Sequence, residues 1–592
     1  MTKKLIFYFW KWMILFILFF LFQSILFAQD KIRLNQLGYY CGAPKIAVVL
    51  SPQANVFFVV DDASHDTIYH ANLLKTEFWE YSGDSARKAN FSKVNREGKF
   101  HLFVPGIGTS YAFEITHNTF LPAAKSSLKM YYLQRASIDI QEQYAGKFAR
   151  KKGHPDDHVM VHPSAESASR GAGTIFKSEG GWYDAGDYNK YIVNSGISTY
   201  TLIMTYEHLA PYFDTLNTNI PESKNKIPDI LDEVLYNLRW MLSMQDTDGG
   251  VYHKLTNSNF DGNLMPADAQ EPRYVVMKTT AASLDFAAVC AVAHRIFKKY
   301  NQQMPGFSDS CLQASLNAWS WAKKNPNVKY LQNKMNAEFN PDIVTGAYDD
   351  NNLQDEFQWA ATELFIATSK YSYLVEMNLE ASLSKNFNIP NWQNVGSLGY
   401  YSLMTKREEL EFIEAEKIEL IKAKILKCAD ELVKGYKKSA FAVPIGTWSG
   451  DFCWGSNAHA GNEGIVLLQA YLISGDVEYM EAALAVMDYF LGRNGTSYSF
   501  LTGFGDKQVM HSHHRPSEAD GITEPLPGYL VGGPNPGMED ASNCGGKYVC
   551  KLPASAYIDD VCSYASNEVA INWNAPFVYL SFSIHQHYKN SK

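Results

Sequence analysis

The chain has 592 residues, 46% of them hydrophobic and 14% aromatic, and 53 Lys and Arg against 62 Asp and Glu leave a formal net charge of −9. That apolar load excludes a disordered chain. The lack of a basic excess excludes phosphate neutralisation as a way of binding, so no nucleic acid is expected as a partner. At about 150 residues per domain, the length implies two to four domains or one large repetitive one.

Lys3 and Lys4 precede an apolar run that is broken at Lys11, resumes from Trp12 to Phe22, and ends in Ile25-Leu-Phe-Ala28. A charged start, a short apolar stretch and a small residue at the junction read as a signal peptide over 1–28. An uncleaved anchor is the competing reading, but the unbroken stretch is shorter than the roughly 20 residues that span a bilayer. The mature protein is therefore expected to be secreted or periplasmic, with no membrane in its mature form. Eight Cys are too few for a disulfide scaffold. The short loop from Cys544 to Cys550 is the pair expected to close.

Residues 30–118 carry short apolar or alternating runs at Ile32–Leu34, Ile46–Leu50, Val56–Val60, Lys99–Val104 and Tyr111–Ile115, separated by turn residues. This spacing predicts a small β-sandwich, with Asn118 to Pro122 as linker. The period then changes to 3.6. Helices are predicted at Ser198–His208, Asp229–Gln245, Val276–Tyr300, Cys311–Lys323, Glu356–Lys370, Glu408–Lys434, Glu463–Ile473, Val477–Leu491 and Glu568–His585. Helices without alternating strands argue against a parallel α/β domain. A closed ring of helix hairpins would bury these faces and gather its loops, with the site, at one end.

Three stretches carry chemistry. The first is Glu179-Gly-Gly-Trp-Tyr-Asp184-Ala-Gly-Asp187-Tyr-Asn-Lys-Tyr191. Its glycines suit a tight loop, and two acids three apart can share one water, as inverting glycosidic hydrolysis requires. A calcium loop or a capped turn fits the same residues. The second runs from Tyr557 to Pro576 and sets Glu568 among apolar and aromatic neighbours. Desolvation there would keep it protonated as a general acid; a helix-capping Glu is the plainer alternative. The third runs from Ser499 to Pro516 and holds His511, His513, His514 and Arg515. Its H-x-H-H spacing has no partner ligands at zinc-site distances, which favours a substrate clamp on hydroxyls over a metal; a solvated loop is the plainer alternative.

Together these motifs resemble glycoside hydrolase family 9, largely secreted cellulases, with an N-terminal immunoglobulin-like domain. Asp184-Ala-Gly-Asp187 matches the family's catalytic-base element, which implies Asp187 as base and Asp184 as the group holding the water. The segment Tyr557 to Ala575 matches the C-terminal signature, which implies Glu568 as proton donor and includes Tyr564. The loop to Arg515 matches the histidine signature, with His513 as the active-site His and Arg515 its partner; Ser512 departs from the family's Pro or aliphatic residue. More loosely, Gly249 to Lys254 resembles the segment supplying a substrate-binding His, here His253. Phe452 to Asn457 resembles one with a subsite Trp, here Trp454, and Ile32 to Tyr39 resembles the first strand of the N-terminal module.

The resemblance implies an immunoglobulin-like β-sandwich at 30–118, followed by an (α/α)6 barrel catalytic domain at 122–592. The implied reaction is inverting hydrolysis of β-1,4-glucosidic bonds in cellulose or related β-glucans, with no cofactor required. A structural calcium is compatible with it, since Glu539, Asp540 and Asp560 lie near the site loops, and a monomer is expected. Exo-acting cleavage of short oligosaccharides (a β-glucosidase or exo-β-glucosaminidase), a non-catalytic glycan-binding protein and a lyase are the alternatives.

Overall fold

The computed structural model describes residues 29–410 and 412–590. The signal-peptide reading falls on residues 1–28, outside the described residues. The N-terminal unit has ten strands: β1 Ile32–Arg33, β2 Gly38–Tyr40, β3 Ile46–Val49, β4 Val56–Asp61, β5 Thr67–Asn72, β6 Thr76–Trp79, β7 Asp84–Asn90, β8 Gly98–Val104, β9 Gly108–Thr109 and β10 Phe113–Thr116. They form two sheets, β1-β3-β7-β6 and β2-β10-β8-β4-β5, with β9 paired to β8. The predicted runs leave out β2, β5, β6, β7 and β9. In Thr67-Ile-Tyr-His-Ala-Asn no residue is buried, and in Asp84-Ser-Ala-Arg-Lys-Ala-Asn only Ala86 and Ala89 are, so neither strand shows an apolar alternation.

Strand alternation divides these side chains between two cores. Tyr39 packs inside the sandwich, edge-on to Phe91 and Phe113. Its neighbour Tyr40 points the other way, stacks on Tyr588 and shares a hydrogen bond with His585 Nδ1 at 3.2 Å. Ala47 and Val49 likewise belong to the sandwich core, while Val48 joins the core of the helical unit.

The linker is shorter than its reading from sequence. Leu121 and Pro122 already lie in the first helix, where Pro occupies an opening position that needs no N–H. The framework helices are α1 Leu121–Leu133, α2 Ile192–Phe213, α3 Asp229–Ser243, α4 Thr280–Phe297, α5 Phe307–Lys324, α6 Gln354–Thr368, α7 Tyr371–Glu376, α8 Gly396–Lys406, α9 Ala415–Lys438, α10 Ser456–Ser474, α11 Val477–Phe490 and α12 Ile571–Tyr588. One series of neighbours runs α8–α6–α4–α2–α12–α10, with α9 bridging α8 and α10. Each of its members packs a second helix: α9, α7, α5, α3, α1 and α11 respectively. The first series is buried nearly all round, as in α4 from Thr280 to His294. In the second series α9 is amphipathic and buries only Ile421, Ile425, Ala429, Leu432 and Val433, whereas α11 is buried from Ala482 to Phe490. Gly461 lets α12 close on α10, since an added Cβ would sit 2.7 Å from Pro576.

Several predicted helix starts move: those read from Ser198, Cys311 and Glu463 begin earlier, at Ile192, Phe307 and Ser456, and those read from Val276 and Glu408 begin later. The stretch before α4 is strand Tyr274–Val275, and Thr279 caps the helix by accepting from the Ala282 N–H. The helix predicted from Glu408 begins at Ala415. The Tyr- and Ser-rich α8 has too weak an apolar period to be read. The helical unit also holds a small sheet, β11 Val159–Val161, β12 Ile175–Phe176, β13 Lys190–Tyr191, β14 Lys254–Thr256 and β15 Tyr274–Val275, in the order β12-β11-β15-β14-β13.

Cys544 pairs with Cys562, not Cys550. Residues 544–547 fold back in a turn, and the Tyr548 hydroxyl contacts Asp540, Ser563 and Ser566, which brings the 560–563 turn to Cys544.

The two units are joined by buried polar contacts. Asp488 accepts from Asn35 at 2.8 Å and from Arg493 at 2.6 Å, and Arg493 also donates to the carbonyls of Ile46 and Ala442. Trp79 packs on Phe441 with ring centres 4.3 Å apart. Asp488→Ala strands a buried guanidinium, so it is expected to cost about 3–5 kcal/mol in urea or thermal unfolding. The isosteric Asp488→Asn is expected to cost less. An alanine variant as stable as the parent would show that this pair does not hold the junction.

Candidate active site

The loop from Asp184 to Asn189 is a closed turn, in which the Asp184 N–H donates to the Asn189 carbonyl at 2.9 Å. Of the two local conformations open to this motif, the loop is observed. Gln134, at the end of α1, donates to the carbonyls of Ala185 and Tyr183. The Asp184 carbonyl accepts from Ile571, the first residue of α12, and the Gly186 carbonyl accepts from Arg515. A Cβ on Gly186 would lie 2.0 Å from the His513 carbonyl oxygen and 3.3 Å from Glu568 Oε1. The base motif, the histidine loop and Glu568 therefore meet at one glycine.

The two Asp side chains are held differently. Asp184 is buried, with Oδ1 accepting from Asn194 at 2.6 Å and Oδ2 from the Tyr348 hydroxyl at 2.7 Å. Burial pushes its pKa up to about 7, helped by the Asp187 charge and opposed by these two donors. Asp187 is 5% exposed; its Oδ2 accepts from Asn189 at 2.5 Å, while Oδ1 has no partner. Asn189 is in turn pinned by the Thr256 hydroxyl and the Asn257 N–H. Below the loop, Asp156 pairs with Lys190 and Arg273, and Arg273 donates to the Tyr188 carbonyl.

Glu568 lies ahead of α12 in extended backbone, bridged to His513, so it does not cap the helix. Its carboxyl is raised well above the usual range by burial first, then by the charges of Asp187 and Asp184, with Arg515 opposing. His513 donates from Nδ1 to the Val561 carbonyl at 2.5 Å, which leaves Nε2 as the acceptor. Arg515 donates Nε to the Asp261 carbonyl and keeps Nη1 buried without a partner. Phe260, 48% exposed, covers the guanidinium at 5.6 Å. Tyr564 lies between the His513 edge and Trp454, whose ring centre is 5.3 Å away and which is 48% exposed.

His253 does not join this group. It is buried, stacked on Tyr330, with Nδ1 on Thr279 and Nε2 on the Ala347 carbonyl. No nitrogen is left for a sugar, and burial lowers its pKa to about 3. His514 is also structural, bonded to Ser517 and Gln134, and His511 is exposed. The three His therefore do not converge on a metal.

Sequence reading missed three supports. Asn189 lies inside the motif and Asn194 one turn into α2, but polar residues there carry no distinguishing signal. Tyr348 sits in a loop more than 150 residues away (φ 48°), where only the fold brings it to Asp184.

Among acids able to hold a cation, Glu539, Asp540 and Asp560 are taken up by Asn535, by Tyr548 with Ala565, and by Lys547 respectively. Asp285, Asp350 and Glu356 instead keep buried oxygens without donors, beside Asp355.

A sheet-rich domain docked on helices, with paired Asp carboxyls, a raised Glu beside them and exposed rings alongside, defines a polysaccharide-cleaving hydrolase. Residues 120–581 match "Glycosyl hydrolase family 9" and residues 28–109 match "Cellulase N-terminal ig-like domain". The chain belongs to glycosyl hydrolase family 9, and it is a glycoside hydrolase of the cellulase type. It is 44% identical over 558 residues to the xyloglucan-specific endo-beta-1,4-glucanase BoGH9A of Bacteroides ovatus, covering 94% of each chain. It is 32% identical to endoglucanase D of Acetivibrio thermocellus, covering 93% of this chain and 83% of that one. A solved Bacteroides ovatus GH9 structure superposes with TM-score 0.88 at 42% identity, covering 94% and 99% of the two chains.

Asp184 ionises near 3.9 in an unfolded chain and at about 7 here. The folded state therefore holds the extra proton between those values, and stability falls as pH rises through that window. Asp184→Asn removes the slope, so the variant is expected to gain about 2–4 kcal/mol over the parent near pH 8 and little near pH 5. Parallel melting profiles for the two proteins would place this ionisation elsewhere. Gly186→Ala is expected to lower both activity and melting temperature, because the His513 carbonyl has to move.

Proposed function

We propose that this enzyme cleaves the β-1,4-glucan backbone of xyloglucan in an endo fashion, with inversion. The observation that carries the substrate is the full-length similarity to the xyloglucan-specific Bacteroides ovatus enzyme. The exposed rings of Trp454 and Phe260 agree with a groove open to a branched polymer.

In this reading Asp187 is the base. Its unpartnered Oδ1 takes a proton from water, while Asn189 fixes the other oxygen. Asp184, with both oxygens held by protein donors, orients that water. The water attacks the anomeric carbon as Glu568, kept protonated by its raised pKa, donates to the leaving oxygen. His513 Nε2 accepts from a sugar hydroxyl, Arg515 Nη1 donates to one, and Trp454 with Tyr564 stacks on ring faces. His253 acts from behind, holding the Ala347 carbonyl next to Tyr348.

We further propose that the two helix series close as an (α/α)6 barrel over 122–592, behind the sandwich at 30–118. The neighbour order supports this, with six inner helices each backed by one outer helix. Secretion is supported by the leader pattern and by the Cys544–Cys562 bridge, which suits an oxidising compartment. A structural calcium is proposed beside Asp285, Asp350 and Glu356, which keep buried carboxyl oxygens without donors; both oxygens of neighbouring Asp355 already accept, from Asn352 and Val395. It would bind hard oxygen ligands and take no part in the reaction. A monomeric enzyme is proposed.

The test is proton NMR of fresh protein with xyloglucan oligosaccharides and, in parallel, cellopentaose. The expected result is early α-anomer and mid-length products, with faster turnover of the branched substrate. A β-anomer first would overturn the one-water mechanism, cellopentaose preference would overturn the xyloglucan assignment, and release of single units from one end would establish exo action. Asp187→Asn and Glu568→Gln are each expected to fold and to lose about 10²–10⁴ in turnover; near-normal turnover in either would remove its role.

A further inference from the structure

We propose that Asp451, His459 and Glu463 form a zinc site, separate from the catalytic carboxyls, that clamps the segment carrying Trp448 and Trp454 onto α10. His459 and Glu463 are four residues apart on the first turns of α10 and so share one face. Asp451 comes from the short turn just before that helix. One donor atom from each lies within 4.8 Å of the others.

The spacings favour an ion over direct contact. His459 Nε2 is 3.7 Å from Asp451 Oδ1 and 3.6 Å from Glu463 Oε1. Both are too long for hydrogen bonds. They are the spans that two metal–donor bonds of about 2.0–2.2 Å subtend at a near-tetrahedral angle. Glu463 supplies an independent sign. It is 2% exposed, its Oε2 has no partner, and its other oxygen faces the imidazole. A buried carboxylate without a donor is costly unless a cation meets it.

Asp451 is arranged to serve both sides. Its Oδ2 accepts from the N–H groups of Gly446 and Thr447 at 2.9 and 2.8 Å, which leaves Oδ1 for the cluster. One imidazole and two carboxylates suit zinc, and the partial exposure of His459 leaves an open position for water and a path of entry.

The site sits between two working parts of the chain. Phe452, next to Asp451, packs against Trp79 and Tyr81 of the sandwich. Trp448 and Trp454 are 62% and 48% exposed. A bound ion would tie the Asp451 turn to the helix and hold the Trp454 platform, with the sandwich as backing.

The experiment is calorimetric titration of EDTA-treated protein with zinc chloride, with calcium and magnesium chloride as controls. It is run in a Cys41→Ser background that removes a second, more exposed donor group at Cys41, Glu97 and His117. The expected result is one zinc bound, affinity at least tenfold lower in Glu463→Gln and in His459→Gln, and a melting temperature raised by about 2 °C at saturating zinc in the parent only. Glu463→Gln replaces a buried carboxyl by a neutral isostere and is the variant that keeps the test valid should His459→Gln unfold. Unchanged zinc affinity in Glu463→Gln, or no heat of binding at about 100 µM zinc, would overturn the proposal.

Discussion

Gly186 can lie against the His513 carbonyl only because it has no Cβ, and the rest of the site is built outward from that contact. The turn 184–189 is tied on one side to α1 through Gln134 and on the other to α12 through Ile571. His513 is bridged to Glu568, and Gly532 donates to the Glu568 carbonyl. Four segments from distant parts of the chain are therefore locked in register by backbone hydrogen bonds. Side chains on such short, mutually bonded segments are aimed more tightly than any on a free loop.

Within that frame the carboxyls receive opposite treatment. Asp187 keeps one bare oxygen, Asp184 has both oxygens supplied with donors, and Glu568 feels the charge of both. Asp184 and Asp187 are buried and Glu568 is partly buried, and the placement of Asn189, Asn194, Tyr348 and Arg515 sets their surroundings apart. The cost in stability is met by the rest of the fold. The helix series buries apolar surface nearly all round, and the Asp156–Lys190–Arg273 cluster anchors the turn from below.

The sandwich is part of this support. Alternation along β2 sends Tyr39 into its own core and Tyr40 into the helical core, and Asp488 joins Asn35 to Arg493 across the junction. Trp79 packs against the stretch that leads through Phe452 to Trp454, so the sandwich touches the segment that carries this exposed ring.

The amino-acid sequence by itself determined the division into a β-rich and a helical unit, the family, and the motifs holding Asp184, Asp187, Glu568, His513 and Arg515. Those are local properties, set by side-chain period and by short runs of residues that chemistry keeps together. It did not determine the polar strands β5 and β7, the α8 helix, the Cys544–Cys562 pairing, the burial of His253, or Tyr348 as a partner of Asp184. Each of these depends on which distant segment arrives alongside. A polar strand is stabilised by its neighbours' hydrogen bonds, a thiol pairs with whichever thiol the fold brings near, and a histidine becomes a ligand or a strut according to what occupies its two nitrogens. Tertiary packing made those choices, because hydrogen-bond partners and burial are properties of the folded neighbourhood and not of the residue.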